Sequence, residues 1–204
     1  MSALGPLQLR IAQLVSDTEA EGPGRRFALW VQGCPIRCPG CCNPEMFESE
    51  GGELVDVDAL AQRILATPAI EGISLLGGEP VSQAAAVASL AKMVRERGLS
   101  VMLYSGYSMH ELKTMRDPAV DALLASCDLL VDGRYEKDRP ETARRWIGSS
   151  NQELHFLTDR YSPSDPRFTA KNGVEIRIRN GEITVNGWPA LAARLLPKKR
   201  LPVV

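Results

Sequence analysis

Four of the five cysteines fall within nine positions, in Gly33-Cys34-Pro35-Ile36-Arg37-Cys38-Pro39-Gly40-Cys41-Cys42-Asn43-Pro44, and nothing else in the chain constrains its fold as tightly. An odd cysteine count with tight clustering suits a metal or a catalytic site better than a disulfide framework. Thiolates are soft ligands for zinc, copper(I) and iron–sulfur clusters, so number and spacing decide between them. A structural zinc site wants four closed ligands, commonly in pairs far apart in sequence. Here Cys34, Cys38 and Cys41 form C-x3-C-x2-C, and the only histidines, His110 and His155, are isolated from the loop and from each other and read as structural or surface residues. Three ligands on one tight loop leave a cubane cluster one iron short, where an electron-transfer centre has a fourth cysteine. Cys42 is available by composition. Adjacent residues cannot easily reach separate corners of one cube, so it is placed outside the ligand set, although it could displace Cys41 as third ligand. Gly33, Gly40, Pro35 and Pro39 suit a wrapped loop with special backbone angles. Cys127 reads as a buried apolar residue.

Strand and helix patterns alternate around this loop. Leu7 to Val15 reads as a strand, followed by a turn-rich loop, and Phe27 to Val31 as a buried strand that delivers the chain to the cysteines. Val57 to Ala66 has apolar residues at helical spacing with Asp56 as N-cap, Ile70 to Leu76 is strand-like, and Val81 to Arg97 is helical with Gly98 as its C-terminal cap. Leu99 to Tyr104 is the next strand. Helical pieces follow at Met109 to Met115 and Pro118 to Ser126, then strands at Leu129 to Val131 and Glu153 to Leu157. Such βαβ units imply a mainly parallel sheet, and 204 residues allow five or six units, short of the roughly 250 residues of a full eight-fold barrel. The expected fold is an α/β incomplete (β/α)6-type barrel with mainly parallel strands, plus a C-terminal β-hairpin. The hairpin is predicted from the alternation of Val174 to Arg179, the Asn180-Gly181 turn and the returning Glu182 to Val185.

Length fits one core with an appendage, drawn here as a core at 1–160 and a linker, hairpin and tail at 161–204. A net charge of -1 argues against a broad nucleic-acid-binding face. The absence of a charged start with an apolar run, and of any apolar stretch near 20 residues, predicts no membrane segment and a cytoplasmic protein. The basic run Pro197-Lys198-Lys199-Arg200 reads as a solvated terminus.

The loop does not stand alone. Gln32-Gly33 precedes it, Asn43-Pro44 follows it, and Glu21-Gly22-Pro23-Gly24-x-Arg26, Gly77-Gly78-Glu79-Pro80, Tyr104-Ser105-Gly106-Tyr107, Val131-Asp132-Gly133 and Gly148-Ser149-Ser150-Asn151-Gln152 accompany it in order. With these segments the chain, over about residues 8 to 157, resembles the radical S-adenosylmethionine enzymes, and among them the activating proteins of glycyl-radical enzymes, especially those of anaerobic ribonucleotide reductase. The resemblance implies that Cys34, Cys38 and Cys41 ligate a [4Fe–4S] cluster whose fourth iron binds S-adenosylmethionine. It implies that Gly77, Gly78 and Glu79 face the cosubstrate's amino group, with Ser105, Asp132, Arg134 and Asn151 as further contacts. It also implies reductive cleavage to a 5'-deoxyadenosyl radical, hydrogen abstraction from a glycine of a partner glycyl-radical enzyme, and a reductant such as flavodoxin or ferredoxin; no catalytic residue is expected beyond cluster and cosubstrate. Cys42 stands where such loops often have an aromatic residue or histidine, Glu21 replaces a common aspartate, and the hairpin lies beyond the match. Two rival functions are a free-standing radical enzyme acting on a small molecule or peptide, and a non-enzymatic iron–sulfur carrier.

Overall fold

A computed structural model describes residues 5–179 and 182–188. The Asn180-Gly181 turn and the basic run at 197–200 lie outside the described residues. Nine strands and four principal helices follow in the order β1 (Gln8–Thr18), β2 (Arg26–Val31), β3 (Glu53–Asp56), α1 (Val57–Leu65), β4 (Gly72–Gly77), α2 (Ala84–Glu96), β5 (Ser100–Tyr104), α3 (Met109–Thr114), α4 (Pro118–Ala125), β6 (Leu129–Asp132), β7 (Glu153–Phe156), β8 (Val174–Arg179) and β9 (Glu182–Gly187). Seven strands form one sheet in the order β3-β1-β2-β4-β5-β6-β7, and β8 and β9 form a separate hairpin.

The middle of the sheet is parallel: β2 pairs with β4 from Arg26↔Gly72 to Val31↔Gly77, β4 pairs with β5, and β5 with β6. These strands are buried almost throughout, as parallel strands covered on both faces must be. The flanks are antiparallel: β1 with β2, β1 with β3, and β6 with β7. Among the described residues four parallel strands stand between antiparallel edges, rather than five or six parallel units. The physical reason is visible in β1, whose residues alternate between buried and partly exposed, the pattern of a strand with one wet face.

Alternation also sorts the central side chains onto two sides. Phe27, Leu29, Val31, Ile73, Leu75, Val101, Leu103 and Leu130 point to one side and pack with Leu60 and Ile64 of α1, Val87, Leu90 and Val94 of α2, Leu112 of α3 and Leu123 of α4. Each such fully buried aliphatic side chain contributes roughly 1.5–3 kcal/mol. The helices are capped from the sequence: Ala59 N–H donates to Asp56 Oδ1 (2.8 Å), Ala119 N–H to Asp117 Oδ1 (2.8 Å), and Ser108 with Glu111 closes a capping box on α3. On the other side Ala28, Trp30 and Leu76 pack with Val15 and Met46, while Met102, Leu129 and Val131 pack with Trp146, Ile147 and Tyr161. Among the described residues that side carries no covering helix layer, and the site lies there.

Two features tie the chain down around it. Arg26 is fully buried at the start of β2 and has neutral acceptors only: Nε donates to Ser74 Oγ (2.7 Å), Nη1 to Ser100 Oγ (2.9 Å) and Pro23 O (3.1 Å), and Nη2 to Ile73 O. It thereby locks the starts of three strands together and folds the Glu21-Gly22-Pro23 loop back on them. The segment after β7 is not a free linker, because Phe168 packs edge-on against Trp146, Phe156 and Tyr161, and Tyr161 O–H meets Ser100 Oγ at 2.8 Å. The polar composition of residues 162–166 conceals this; the anchor is aromatic.

Candidate cofactor site

The carboxyl ends of the four parallel strands converge on one cavity of about 460 Å³, within the roughly 300–1,000 Å³ of small-molecule sites. β2 delivers Cys34, Cys38 and Cys41 to it, β4 Gly77, Gly78 and Glu79, β5 Ser105 and Gly106, and β6 Gly133. Parallel strands put the ends of their loops on one rim, which is why motifs about 30 residues apart meet here.

The cysteine loop is braced before it reaches the cavity. Gly33 N–H donates to Met46 O and Cys34 N–H to Phe47 O, both at 3.0 Å, while Gln32 Nε2 donates to Glu48 O (2.7 Å). Glu79 N–H donates to Gly33 O (2.8 Å) and Gly78 N–H to Val31 O (2.8 Å), so the second motif is bonded to the first through backbone. A Cβ on Gly78 would stand 2.3 Å from Gly33 O, and one on Gly77 2.6 Å from Val31 N. Only glycine permits this approach.

Cys34, Cys38 and Cys41 are free and half-buried. Among the described residues, the group of three or more His, Cys, Asp or Glu close enough to share one ion is Asp132, Glu153 and His155, with ligand atoms within 4.8 Å of one another. The three thiols are not so gathered. They line one cavity without meeting at a single-ion site, which fits a multi-iron cluster better than a single ion. Cys42 is exposed and also borders the cavity. The hydrogen bond between the two neighbouring thiols pulls Cys41 below its ordinary value and raises Cys42, and Asn43 N–H adds a contact to Cys41 Sγ at 3.4 Å. Of the two, Cys41 is the better thiolate.

Glu79 is 1% exposed. Its Oε1 accepts from Val81 N–H (3.0 Å) and Ser105 Oγ (3.1 Å), and its Oε2 from Gly106 N–H (2.8 Å). Burial nevertheless pushes its carboxyl up to about 7, because no cation faces it among its described partners. Glu21, also in the cavity lining, is likewise pushed up to about 7 by burial and accepts from Gly187 N–H (2.8 Å).

Asp132, Arg134 and Asn151 lie outside the cavity lining. Asp132 accepts from Met109 N–H at the start of α3 and lies 3.1 Å from His155 Nε2. Arg134 pairs with Glu111 (2.9 Å), which holds that carboxyl down at about 2, and Asn151 Nδ2 donates to Arg134 O (2.8 Å). His155 thus lies beside Asp132 rather than on the cysteine loop, and Cys127 is buried at 1% exposure.

A family described as "4Fe-4S single cluster domain" matches residues 20–155. The anaerobic ribonucleoside-triphosphate reductase-activating protein of Enterobacteria phage T4 is 31% identical over 144 residues, covering 68% of this chain and 88% of the phage protein. Its namesake in Vibrio cholerae is 34% identical over 149 residues, 67% of this chain and 91% of that one, and the Escherichia coli K12 protein 31% over 145 residues, 67% and 91%. This chain belongs to that activating-protein family. Its cofactors are accordingly a [4Fe–4S] cluster and S-adenosylmethionine, and it is a radical S-adenosylmethionine enzyme. Among the described residues no helix is long and apolar enough to cross a membrane.

The family match ends before the hairpin, yet Val185, Asn186, Gly187 and Trp188 line the cavity beside Trp30, Tyr104, Tyr135 and Trp146. Sequence reasoning missed these wall residues. Trp30 and Tyr104 were legible in principle, as large side chains at alternate positions of buried strands; for the hairpin residues no sequence signal says where a separate hairpin docks.

Proposed function

We propose that this chain activates an anaerobic ribonucleoside-triphosphate reductase, the protein its relatives are named for, by generating a radical on a glycine of that partner. The observation that carries the reading is the convergence of Cys34, Cys38 and Cys41 with Gly77, Gly78, Glu79 and Ser105 in one cavity at the ends of parallel strands. When bound, the cluster and S-adenosylmethionine supply a 5'-deoxyadenosyl radical by one-electron cleavage of the sulfonium.

The chain's own residues hold and orient. Cys34, Cys38 and Cys41 ligate three irons. Gly77 and Gly78 let backbone come close to the cosubstrate, and the Glu79 carboxylate accepts its amino group. Ser105 fixes Glu79, and Trp30, Tyr104 and Trp146 exclude water around the adenosyl group. Asp132, Arg134 and Asn151 act one step back, shaping the rim after β6 through α3 and Glu111; direct contact with the cosubstrate requires exchange of those bonds. The open sheet works as an incomplete barrel whose mouth admits a peptide. Residues 1–160 form the radical-generating core and 161–204 its appendage. Five free cysteines suit the reducing cytoplasm, where a flavodoxin or ferredoxin supplies the electron.

Anaerobic incubation with S-adenosylmethionine and dithionite tests the reading. The expected result is 5'-deoxyadenosine, dependent on Cys34, and with the reductase added a glycyl radical in its electron paramagnetic resonance spectrum. Product without radical transfer to the reductase would favour a free-standing enzyme; no product above a Cys34→Ala control would leave only an electron carrier.

A further inference from the structure

We propose that the outward face of the β8–β9 hairpin is the docking surface for the glycine-bearing segment of the partner reductase, an extended peptide that crosses Ile176, Ile178 and Ile183 before entering the cavity. The inference rests on the activase reading and adds to it the surface that recognises the partner.

The hairpin is turned opposite to the usual sense. Its polar face meets the body: Glu175 accepts from Glu19 N–H (2.6 Å), Arg177 donates to Asp17 O and to Asn186 Oδ1 (2.9 Å), and Asn186 Nδ2 donates to Thr18 Oγ1 (2.8 Å). Its apolar face is outside. Ile176 opposes Val185 and Ile178 opposes Ile183, so the four share one side, and Ile176, Ile178 and Ile183 are 53%, 70% and 41% exposed. An apolar strand face left uncovered by the described residues is a liability that proteins avoid unless something binds it.

Position names the occupant. Val185, on the same face, lines the cofactor cavity with Gly187 and Trp188, while Ile176, Ile178 and Ile183 lie beyond the lining. A small molecule seated in the cavity would not reach them. A polypeptide whose glycine enters the cavity would, and it arrives extended with its own backbone groups to satisfy. β9 suits that need. Gly187 N–H bonds to Glu21 and not to β8, so by antiparallel alternation the N–H groups of Ile183 and Val185 point to the outer edge, where no further strand pairs with β9 among the described residues. Edge pairing with side-chain contacts on alternate residues is a general mode of peptide capture. Glu21 fixes the hairpin at the cavity wall through Gly187, which keeps this edge continuous with the site.

The test uses cluster-loaded full-length protein under anaerobic conditions. Its probes are the whole anaerobic reductase and a synthetic peptide spanning its radical-bearing glycine. The double variant Ile176→Asp/Ile178→Asp, and separately Ile183→Asp, should weaken binding of both probes at least about tenfold and reduce glycyl-radical yield accordingly. 5'-Deoxyadenosine formed without partner should remain at the wild-type rate, and circular dichroism should be unchanged, as expected for exposed positions. Unaltered binding by either variant would overturn the proposal. So would parallel loss of binding and of partner-free 5'-deoxyadenosine, which would assign the hairpin to the cofactor. A wild-type dimer in sedimentation that the variants dissolve would also overturn it, by making a second copy the occupant. Wild-type protein that yields 5'-deoxyadenosine but binds neither probe would refute the docking alone; wild-type protein that yields none would remove the activase reading and the docking with it.

Discussion

Binding of S-adenosylmethionine should expel a proton from Glu79. Burial holds this carboxyl at about 7 against an ordinary 4.5, with Val81, Gly106 and Ser105 pulling the other way and no cation among its described partners. At about pH 6.5 roughly three-quarters of the cosubstrate-free protein therefore carries the proton. An ammonium brought against the carboxylate favours its charged form and returns it toward the ordinary range, a change of about two and a half units worth roughly 3 kcal/mol. The sign follows from linkage. The bound state holds fewer protons, so affinity falls as pH drops below about 7, by about tenfold per unit, and levels off near 4.5. Calorimetry of cluster-loaded protein in two buffers of different ionisation enthalpy reads the proton count. At about pH 6.5 the cosubstrate's amine is already an ammonium before it binds either protein, so there the difference between wild type and Glu79→Gln isolates the side chain. Wild type should release roughly 0.7 proton more than Glu79→Gln at about pH 6.5. Equal proton counts at about pH 6.5 would refute placement of the amino group at Glu79.

Three further outcomes are expected. Serine at Cys34, Cys38 or Cys41 should abolish the broad visible absorption and bound iron of the reconstituted protein, whereas Cys42→Ser should retain both; cluster loss in Cys42→Ser with retention in Cys41→Ser would exchange their roles. Gly78→Ala forces a Cβ to within 2.3 Å of Gly33 O, so it should destabilise the fold by roughly 1–3 kcal/mol in urea melts and lower iron loading with it. Arg26→Met strands the acceptors on Ser74, Ile73 and Ser100 in the interior, at about 3 kcal/mol or more, and should lower Tm by roughly 6–12 °C.

Much of the site was legible because its chemistry is local. The C-x3-C-x2-C spacing and the Gly77-Gly78-Glu79 turn each lie on one loop, and alternating strand and helix is enough to bring such loops to a common rim. Strand direction is not local. The apolar–polar alternation of Leu7 to Val15 was a sign of an antiparallel edge, but Glu153 to Leu157 is too short to distinguish an antiparallel neighbour from a parallel one; β3, four residues long at Glu53–Asp56, carries too little pattern to be seen at all. Asp132 and Arg134 were legible as charged residues at a strand end, but not their commitment to the α3 N-terminus and Glu111, because those partners come from a helix folded back over the rim. The inside-out hairpin is the sharpest case. Its alternation identified a hairpin, while which face turns inward depends on Asp17, Thr18 and Glu19, some 160 residues earlier in the chain.

The one-sided placement of the helices has a consequence for how such a chain can diversify. Helices α1 to α4 all pack behind the sheet, so the front can be refitted without dismantling that core. Described residues following β7 cover that front, held by one aromatic cluster, the Tyr161–Ser100 hydrogen bond and hydrogen bonds to β1 and to Glu21. Replacing those residues would change which macromolecule is admitted while leaving the thiols, the glycine turn and their backbone bracing untouched. On the docking proposal above, partner choice and radical chemistry would sit on separate parts of one polypeptide.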